Sequence, residues 1–428
     1  MSGLGLSLPA LMRHNSFGNF WCARVATTMA YQMQSVAIGW QIYDLTNSAF
    51  DLGLVGLAQF FPTVALSVVV GQAVDHFDRK IIARTCQSIA ALGATVLAIG
   101  TAAGWLNRDT ILLLVFMTGS ARAFEMPSLL ALVPGIVAPP LLPRAIAAST
   151  SASQTAVICG PALGGLIYAF GPMVVYATCA VVYVFASILV AMLKTAPRPT
   201  ERAPVTLATM FAGFSYIRSR PWLLGVISLD LFVVLLGGVT ALLPIFARDI
   251  LATGPWGLGL LRSAPAVGAL SMSAFLAHRS LGHEVGAKLF ASVGVFGVAI
   301  VVFSLSRSLA LSLGALVVYG AMDAVSVVIR HSLVQTRTPA DMLGRVIAVN
   351  AMFTGTTGSL GQFRAGVLAA LLGAVPSALI GGIGAIAVTA LWMWWFPDLK
   401  RIGSLEPEPI LFEHDAPTEP REAAGKVQ

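Results

Sequence analysis

The chain has 428 residues, of which 57% are hydrophobic and 11% charged, and its mean hydropathy is +0.83. A soluble domain of this length carries about a quarter of its residues as charged side chains, so the composition excludes an ordinary soluble protein. The net charge of +7 is concentrated in short loops between apolar runs, which indicates membrane topology and argues against nucleic-acid binding.

Runs of roughly twenty apolar residues recur along the chain, and each is long enough to cross a bilayer as a helix. They predict an all-α membrane protein with twelve transmembrane helices, at approximately residues 18–43, 50–74, 81–105, 110–133, 146–170, 173–194, 222–246, 255–277, 285–306, 309–333, 344–371 and 375–396. Because the runs are continuous, a β-barrel is disfavoured. Most basic loop residues fall on one side of the membrane, which predicts that both termini are cytoplasmic.

The chain repeats itself after about 200 residues. GLAQFFP, which begins at Gly56, aligns with GLLRSAP at Gly259, and the stretch that begins at Arg144 aligns with the one at Arg345. We therefore predict two pseudo-symmetric six-helix halves, residues 1–194 and 222–397, joined by a polar cytoplasmic linker, 195–221, and followed by a disordered cytoplasmic tail, 398–428. Two such repeats are typical of transporters in which one half rocks against the other.

The loop after helix 2, GQAVDHFDRKIIAR, gathers charge between two apolar runs. Together with twelve helices in two halves, it resembles the loop signature of the major facilitator superfamily. Gly71, Asp75, Arg79 and Lys80 match that signature, whereas His76 and Asp78 depart from it. The stretches RAFEMPSLLALVP, GPALGG and LGRVIAVN are similar to the branch that contains the enterobactin exporter and macrolide efflux pumps.

This resemblance implies that the loop is part of a cytoplasmic gate. Asp75 is expected to accept hydrogen bonds from the amino end of helix 11, beside Arg345, because free amides and the helix dipole there favour an anion. The alternative is a basic anchor at the lipid headgroups, which explains Lys80 equally well but does not explain a carboxylate.

Seven charged residues lie inside the predicted helices and well away from their ends: Arg24, Arg122, Glu125, Asp230, Arg262, Asp323 and Arg364. Each costs roughly 2.5–3.5 kcal/mol at a helix centre, so we expect them to face one another or a water-filled cavity. Arg122 and Glu125, three residues apart, share one face of helix 4. Arg364 either pairs with Asp230 or Asp323 or meets an anionic part of the cargo.

Buried carboxyl groups that border a cavity are candidates for carrying protons. Glu125 is the first candidate, followed by Asp323 and Asp230, and the alternative for Glu125 is a permanent ion pair with Arg122. No phosphate-binding loop of the GxxxxGK type occurs, and the histidines lack metal-ligand spacing, so we expect a proton gradient as the energy source, with no cofactor and no metal.

Polar and aromatic side chains on the helices that line the cavity in the resembled family are candidates for cargo contact, although such aromatics are more often packing residues. The predicted cavity residues are Arg24, Tyr31, Gln34, Arg122, Gln154, Tyr319, Asn350, Phe353 and Arg364. GPALGG on helix 5 resembles the antiporter signature. Its small residues Gly160, Pro161, Gly164 and Gly165 form a hinge or seal, or simply a site of tight helix packing.

These features predict a secondary active transporter, not an enzyme, that exports small amphipathic molecules by proton antiport from a bacterial cytoplasmic (inner) membrane. The resemblance to the branch named above implies cargo of siderophore or drug type. The expected partners are the small-molecule cargo, protons and the lipid bilayer, with a monomeric chain. A lipid transporter such as a lysophospholipid flippase is the main alternative, and a non-transporting membrane sensor is a more remote one.

Overall fold

The computed structural model describes residues 15–194, 207–279 and 282–403. The N-terminal half consists of α1 (Asn15–Thr46), α2 (Ala49–Ala65 and Ser67–His76), α3 (Arg79–Ala102), α4 (Arg108–Ile136), α5 (Leu142–Ile167) and α6 (Pro172–Ala191). The C-terminal half consists of α7 (Pro221–Leu236, continued by short turns to Ile250), α8 (Gly254–His278), α9 (Val285–Leu305), α10 (Leu309–Arg337), α11 (Ala340–Leu372) and α12 (Ala374–Trp395). The predicted all-α fold with twelve helical segments is confirmed over these ranges.

Eight of the helices in the described ranges are long and apolar enough to cross a membrane by length and composition alone. The four segments outside that set, α1, α2, α4 and α11, either carry more polar side chains or are interrupted. A bilayer offers no partners for these polar groups, so they must face protein or water.

Short polar side chains fix the points at which three of the helices begin. Ser48 caps α2, Asn107 caps α4, and the Asp78 carboxylate accepts a hydrogen bond of 2.8 Å from the Lys80 amide at the start of α3. Asp78 is one of the two departures from the superfamily signature. Its role as a helix cap gives that departure a local physical reason.

Helix α7 is broken after Leu236 at Gly237 and Gly238. A Cβ atom placed on Gly238 would lie 2.5 Å from the carbonyl carbon of Gly361, so the break packs directly against the backbone of α11. The chain then continues through short turns that end in a π-helical turn, Phe246–Ile250. The break leaves backbone carbonyl groups of α7 without helical partners in the interior of the C-terminal half.

The segments outside the twelve helices pack against the inner parts of the bundle. The linker contains a helix, Leu207–Ser219, whose Gly213 lies against the backbone of Arg345 on α11. The predicted tail starts too early at 398, because Pro397–Lys400 is helical, Leu399 is fully buried, and the Gly286 amide donates to the Ile402 carbonyl at 3.0 Å. Residues 404–428 lie outside the described ranges.

Candidate functional site

The charged residues inside the N-terminal half gather around Arg122 and Glu125 on α4. Arg122 Nη1 lies 4.0 Å from Glu125 Oε2, and the guanidinium carbon lies 3.8 Å from the centre of the Tyr31 ring on α1. The Tyr31 hydroxyl donates to Gln59 Oε1 on α2 at 3.2 Å. Arg122 and Glu125 are neighbours on α4 as predicted. In addition, Arg122 makes a cation–π contact with Tyr31 that the sequence did not indicate.

The Glu125 side chain is buried, with 4% of its surface exposed. Its polar neighbours are Gln87 on α3, which donates to Thr27 on α1 at 3.1 Å, and Thr27 itself. Neither Glu125 Oε1 nor Gln87 Oε1 has a hydrogen-bond partner among the described residues. A buried oxygen of this kind costs roughly 1–3 kcal/mol unless a proton or a water molecule satisfies it.

The cavity beside Glu125 is small. Its volume is about 20 Å³, and Tyr31, Gln34, Gln59 and Arg122 are among the residues that border it. That space admits little more than one water molecule. Tyr31, Gln34 and Arg122 are thus brought together as predicted cavity residues, but the cavity has no room for cargo in this conformation.

The charged residues of the C-terminal half form a different arrangement. Arg330 Nη1 of α10 lies 2.8 Å from Asp230 Oδ1 of α7, and both side chains are buried. Thr354 Oγ1 of α11 donates to the other oxygen of Asp230 at 3.2 Å. From the sequence, Arg364 was the only partner considered for Asp230, so the ion pair with Arg330 is a new finding.

A larger cavity borders this pair. Its volume is about 320 Å³. The lining residues are Val226, Asp230, Val234, Asp323, Val327, Arg330, His331, Val334, Asn350 and Thr354. Asp323 and Asn350 were predicted site residues. In the described part of the chain, Asp323 makes no hydrogen bond or ion pair.

The remaining predicted cavity residues lie elsewhere. Arg24 donates to Ser149 Oγ on α5 at 2.8 Å, and Arg364 Nη2 donates to the Leu236 carbonyl, in the break of α7, at 2.5 Å. Arg364 therefore stabilises the broken helix, and neither Asp230 nor Asp323 is its partner among the described residues. Tyr319 stacks on Phe296 with 4.4 Å between ring centres, Phe353 packs partly buried against the core, and Gln154 is exposed.

The two halves meet mainly through α5 with α8 and through α2 with α11. We call the end at which α1 ends and α2 begins the outer end, following the predicted topology, and the opposite end the inner end. A Cβ atom on Gly165 would lie 2.9 Å from the Gly259 Cα, and one on Gly53 would lie 3.2 Å from the Gly366 Cα. Both contacts lie in the outer parts of their helices and bring backbones together there.

The glycines of GPALGG divide between two partners. Gly160 and Gly164 pack against Gln32 and Met33 of α1, within the same half, whereas Gly165 packs against α8 of the other half. The carbonyl oxygen of Pro161 also faces Gly259. The motif thus contributes directly to the closure of the outer end, as well as to packing inside its own half.

Polar contacts also cross between the halves at the outer end. Arg248 Nη1 of α7 lies 3.3 Å from Asp44 Oδ1 of α1, and the Tyr43 hydroxyl donates to Asp249. Nearer the centre, Arg262 of α8 donates to Ser35 Oγ of α1 at 2.6 Å. Sequence reasoning missed this cluster. Its signal was the pair of related stretches IYDLT and IFARD at the ends of helices 1 and 7, in which Asp44 and Arg248 have opposite charges.

At the inner end, the hydrogen bonds described for Arg79 and Lys80 stay within the N-terminal half, and the one described for Arg345, to Met342, stays within α11. Arg79 donates to the Ala131 carbonyl at 3.1 Å, and Lys80 donates to the Leu193 carbonyl at 2.8 Å. Arg345 is exposed, and Gly71 faces open space. The side chain of Asp75 lies outside the described part of the structure. Its predicted contact with α11 remains a prediction.

Comparison with known proteins gives a consistent result. The family model described as transmembrane secretion effector matches residues 7–415. The enterobactin exporter EntS of Citrobacter koseri is 27% identical over 415 residues, covering 94% of this chain and 97% of the relative. EntS of Escherichia coli O1:K1 / APEC is 26% identical over 410 residues, with the same coverage.

Solved structures share the fold. A bacterial homologue of the human lysosomal transporter Spinster, inward-facing and occupied, gives a TM-score of 0.72 at 13% identity, covering 93% of this chain and 99% of that one. A bacterial homologue of the iron transporter ferroportin, inward-facing, gives 0.69 at 16% identity, covering 91% and 99%.

Proposed function

Because this chain belongs to the transmembrane secretion effector family of major facilitator transporters, we propose that it exports small amphipathic molecules, of siderophore or drug type, in exchange for protons. Membership of the superfamily and a role in transport are established by the family match. The direction of transport, the cargo and the coupling to protons are the proposal.

The observation that carries the proposal is a bundle closed at its outer end that keeps carboxyl groups beside cavities in both halves. The glycine contacts of α5 with α8 and the cluster around Arg248 support the closed outer end. Such a conformation, with cavities on the inner side of the closure, is the state in which an exporter accepts cargo from the cytoplasm.

Coupling to protons is supported by the setting of Glu125 and Asp323. Glu125 Oε1 is buried without a donor, and Asp323 borders a cavity without a partner among the described residues. A buried carboxyl oxygen without a donor favours the protonated form, whereas Arg122, 4.0 Å from Glu125, favours the charged form, so the balance can shift with the surroundings. A proton that moves down a potential of 100 mV releases about 2.3 kcal/mol, which is enough to bias a balanced two-state transporter.

We further propose that the protein lies in a bacterial cytoplasmic membrane with both termini in the cytoplasm. The distribution of basic residues supports this orientation, because Arg79, Lys80 and Arg345 lie at the inner end and few basic residues lie at the other. The predicted latch of Asp75 to the amino end of α11 would then close the cytoplasmic side when the outer end opens.

Inside-out membrane vesicles provide the test. With an acidic lumen, which corresponds to the outer side, vesicles that contain the protein should accumulate enterobactin or a macrolide, and a protonophore should abolish the accumulation. Glu125→Gln should remove the dependence on the pH gradient while the protein stays inserted. Accumulation that is equal with and without the gradient would rule out antiport, and its absence for every amphipathic cargo would rule out export.

A further inference from the structure

The cavity of the C-terminal half has a charge that the ion pair beside it leaves uncompensated. Asp230 and Arg330 neutralise one another at 2.8 Å, and Asp323 lies seven residues from Arg330 along α10. That separation is about 10 Å along the helix axis, and the ion pair described for Arg330 is with Asp230; Arg330 acts on Asp323 through space, without direct contact. With Asp323 ionised and His331 neutral, the lining therefore carries a net charge of minus one.

Four valines form the apolar part of the walls around this charge. Val226 and Val234 come from α7, and Val327 and Val334 come from α10. A carboxylate faced by branched aliphatic side chains binds poorly hydrated organic cations better than small hydrated ions, because the apolar substituents of such cations replace water against the walls. At about 320 Å³, the cavity lies within the size range of small-molecule sites.

The cavity of the N-terminal half differs from this one, and the difference favours the C-terminal half as the place where a ligand binds. Glu125 has Arg122 on the same helix, and the space beside it admits little more than one water molecule. Among the described residues, no cation is in contact with Asp323, and the cavity that it borders is large enough for a small molecule. The described residues also hold no group of three or more His, Cys, Asp or Glu side chains that could bind a metal ion.

We propose that the C-terminal cavity is a subsite for the positively charged head of an amphipathic organic cation, with Asp323 as the anionic anchor. The inference rests on the proposed export function and specifies a class of cargo for it. Asn350 and Thr354 of α11 also line the cavity and offer polar contacts to the head group, and the Asp230–Arg330 pair forms part of its wall.

The subsite also gives a simple route to exchange. A proton and an organic cation compete for the same carboxylate of Asp323, so binding of cargo from the cytoplasm releases a proton there, and a proton bound at the outer side displaces cargo. The titratable groups that share the surroundings of Asp323 are Tyr319, Arg330 and His331 of α10 and Asp230 of α7. Arg262 of α8 is held by Ser35.

Two ions of nearly the same shape and opposite charge test the proposal on the purified full-length protein. Equilibrium binding of tetraphenylphosphonium should be measurable, and tetraphenylborate should bind no more than to empty detergent micelles. Asp323→Asn should weaken tetraphenylphosphonium binding at least tenfold, and Asp323→Glu should restore part of it. Asp109→Asn, which removes an exposed acid at the start of α4, should leave binding unchanged.

A second variant guards against misfolding at Asp323. Val327→Phe keeps the charge but fills the cavity, and it should also weaken tetraphenylphosphonium binding. Binding that Asp323→Asn leaves unchanged, or equal binding of tetraphenylborate, would overturn the subsite. If the protein exports enterobactin but shows either of these two results, the subsite is wrong and the export function stands. If tetraphenylphosphonium binding depends on Asp323 but the protein transports nothing, the subsite stands and the export function is wrong.

Discussion

The buried ion pair between Asp230 and Arg330 leads to the strongest prediction about stability. Only 10% and 8% of the two side chains, respectively, are exposed, so Asp230→Asn leaves a buried guanidinium without its anion. Breaking a buried pair from one side typically costs about 3–5 kcal/mol, much of it the penalty for the orphaned charge. We therefore expect Asp230→Asn to lower the apparent unfolding midpoint of the purified protein by several degrees.

The double variant Asp230→Asn, Arg330→Met separates this cause from others. Removing both charges should recover most of the lost stability, because the orphaned guanidinium of Arg330 is then absent. A matched control is Asp44→Asn, which breaks the Arg248 pair at the outer end, where 58% of the Asp44 side chain is exposed, and should cost less than about 1 kcal/mol. If the double variant is as unstable as Asp230→Asn alone, the orphaned charge is not the cause.

Two further predictions concern the outer closure. The side chain introduced by Gly165→Leu cannot fit against Gly259. Cysteines placed at the outer ends of α5 and α8 should therefore become more accessible to a membrane-impermeant reagent. Leu166→Phe, which enlarges an exposed neighbouring side chain, is the control and should not change accessibility. Asp249→Asn removes the carboxylate that accepts a hydrogen bond from the Tyr43 hydroxyl. Distances between spin labels on the two halves at the outer end should then lengthen in part of the population. An unchanged distance distribution would mean that the glycine contacts alone keep the outer end closed.

How much could be read from the sequence depends on how local each feature is. The helices follow from runs of apolar residues, and the Arg122–Glu125 contact follows from a spacing of three on one helix. Asp230 and Arg330 are one hundred residues apart, and their meeting depends on the rotation of α7 and α10, which no local pattern specifies. Arg364 was expected to meet an acid or the cargo, and it binds a carbonyl that is available only because α7 breaks at Leu236.

Glycine positions show the same limit in another form. GPALGG was recognised as a place of close helix approach, and the internal repeat drew attention to the stretch that begins at Gly259. That Gly165 and Gly259 are partners follows only from the way in which the two halves lean together. The end of α12 was misjudged for a related reason, because Leu399 and Ile402 look like the start of a polar tail until their contact with the start of α9 is known.

The arrangement of charge pairs limits how rocking can be linked to proton binding. Arg122 and Glu125 belong to one helix, and Asp230 and Arg330 belong to one half, so a rigid movement of the halves changes neither distance. The polar contacts that cross between the halves, such as Arg248 with Asp44 and Arg262 with Ser35, contain no acid that borders a described cavity. In the proposed antiport, a change of conformation can therefore affect Glu125 and Asp323 only through access to water or through the cargo itself. The proposed subsite, at which cargo and a proton share one carboxylate, meets that requirement without breaking any internal pair.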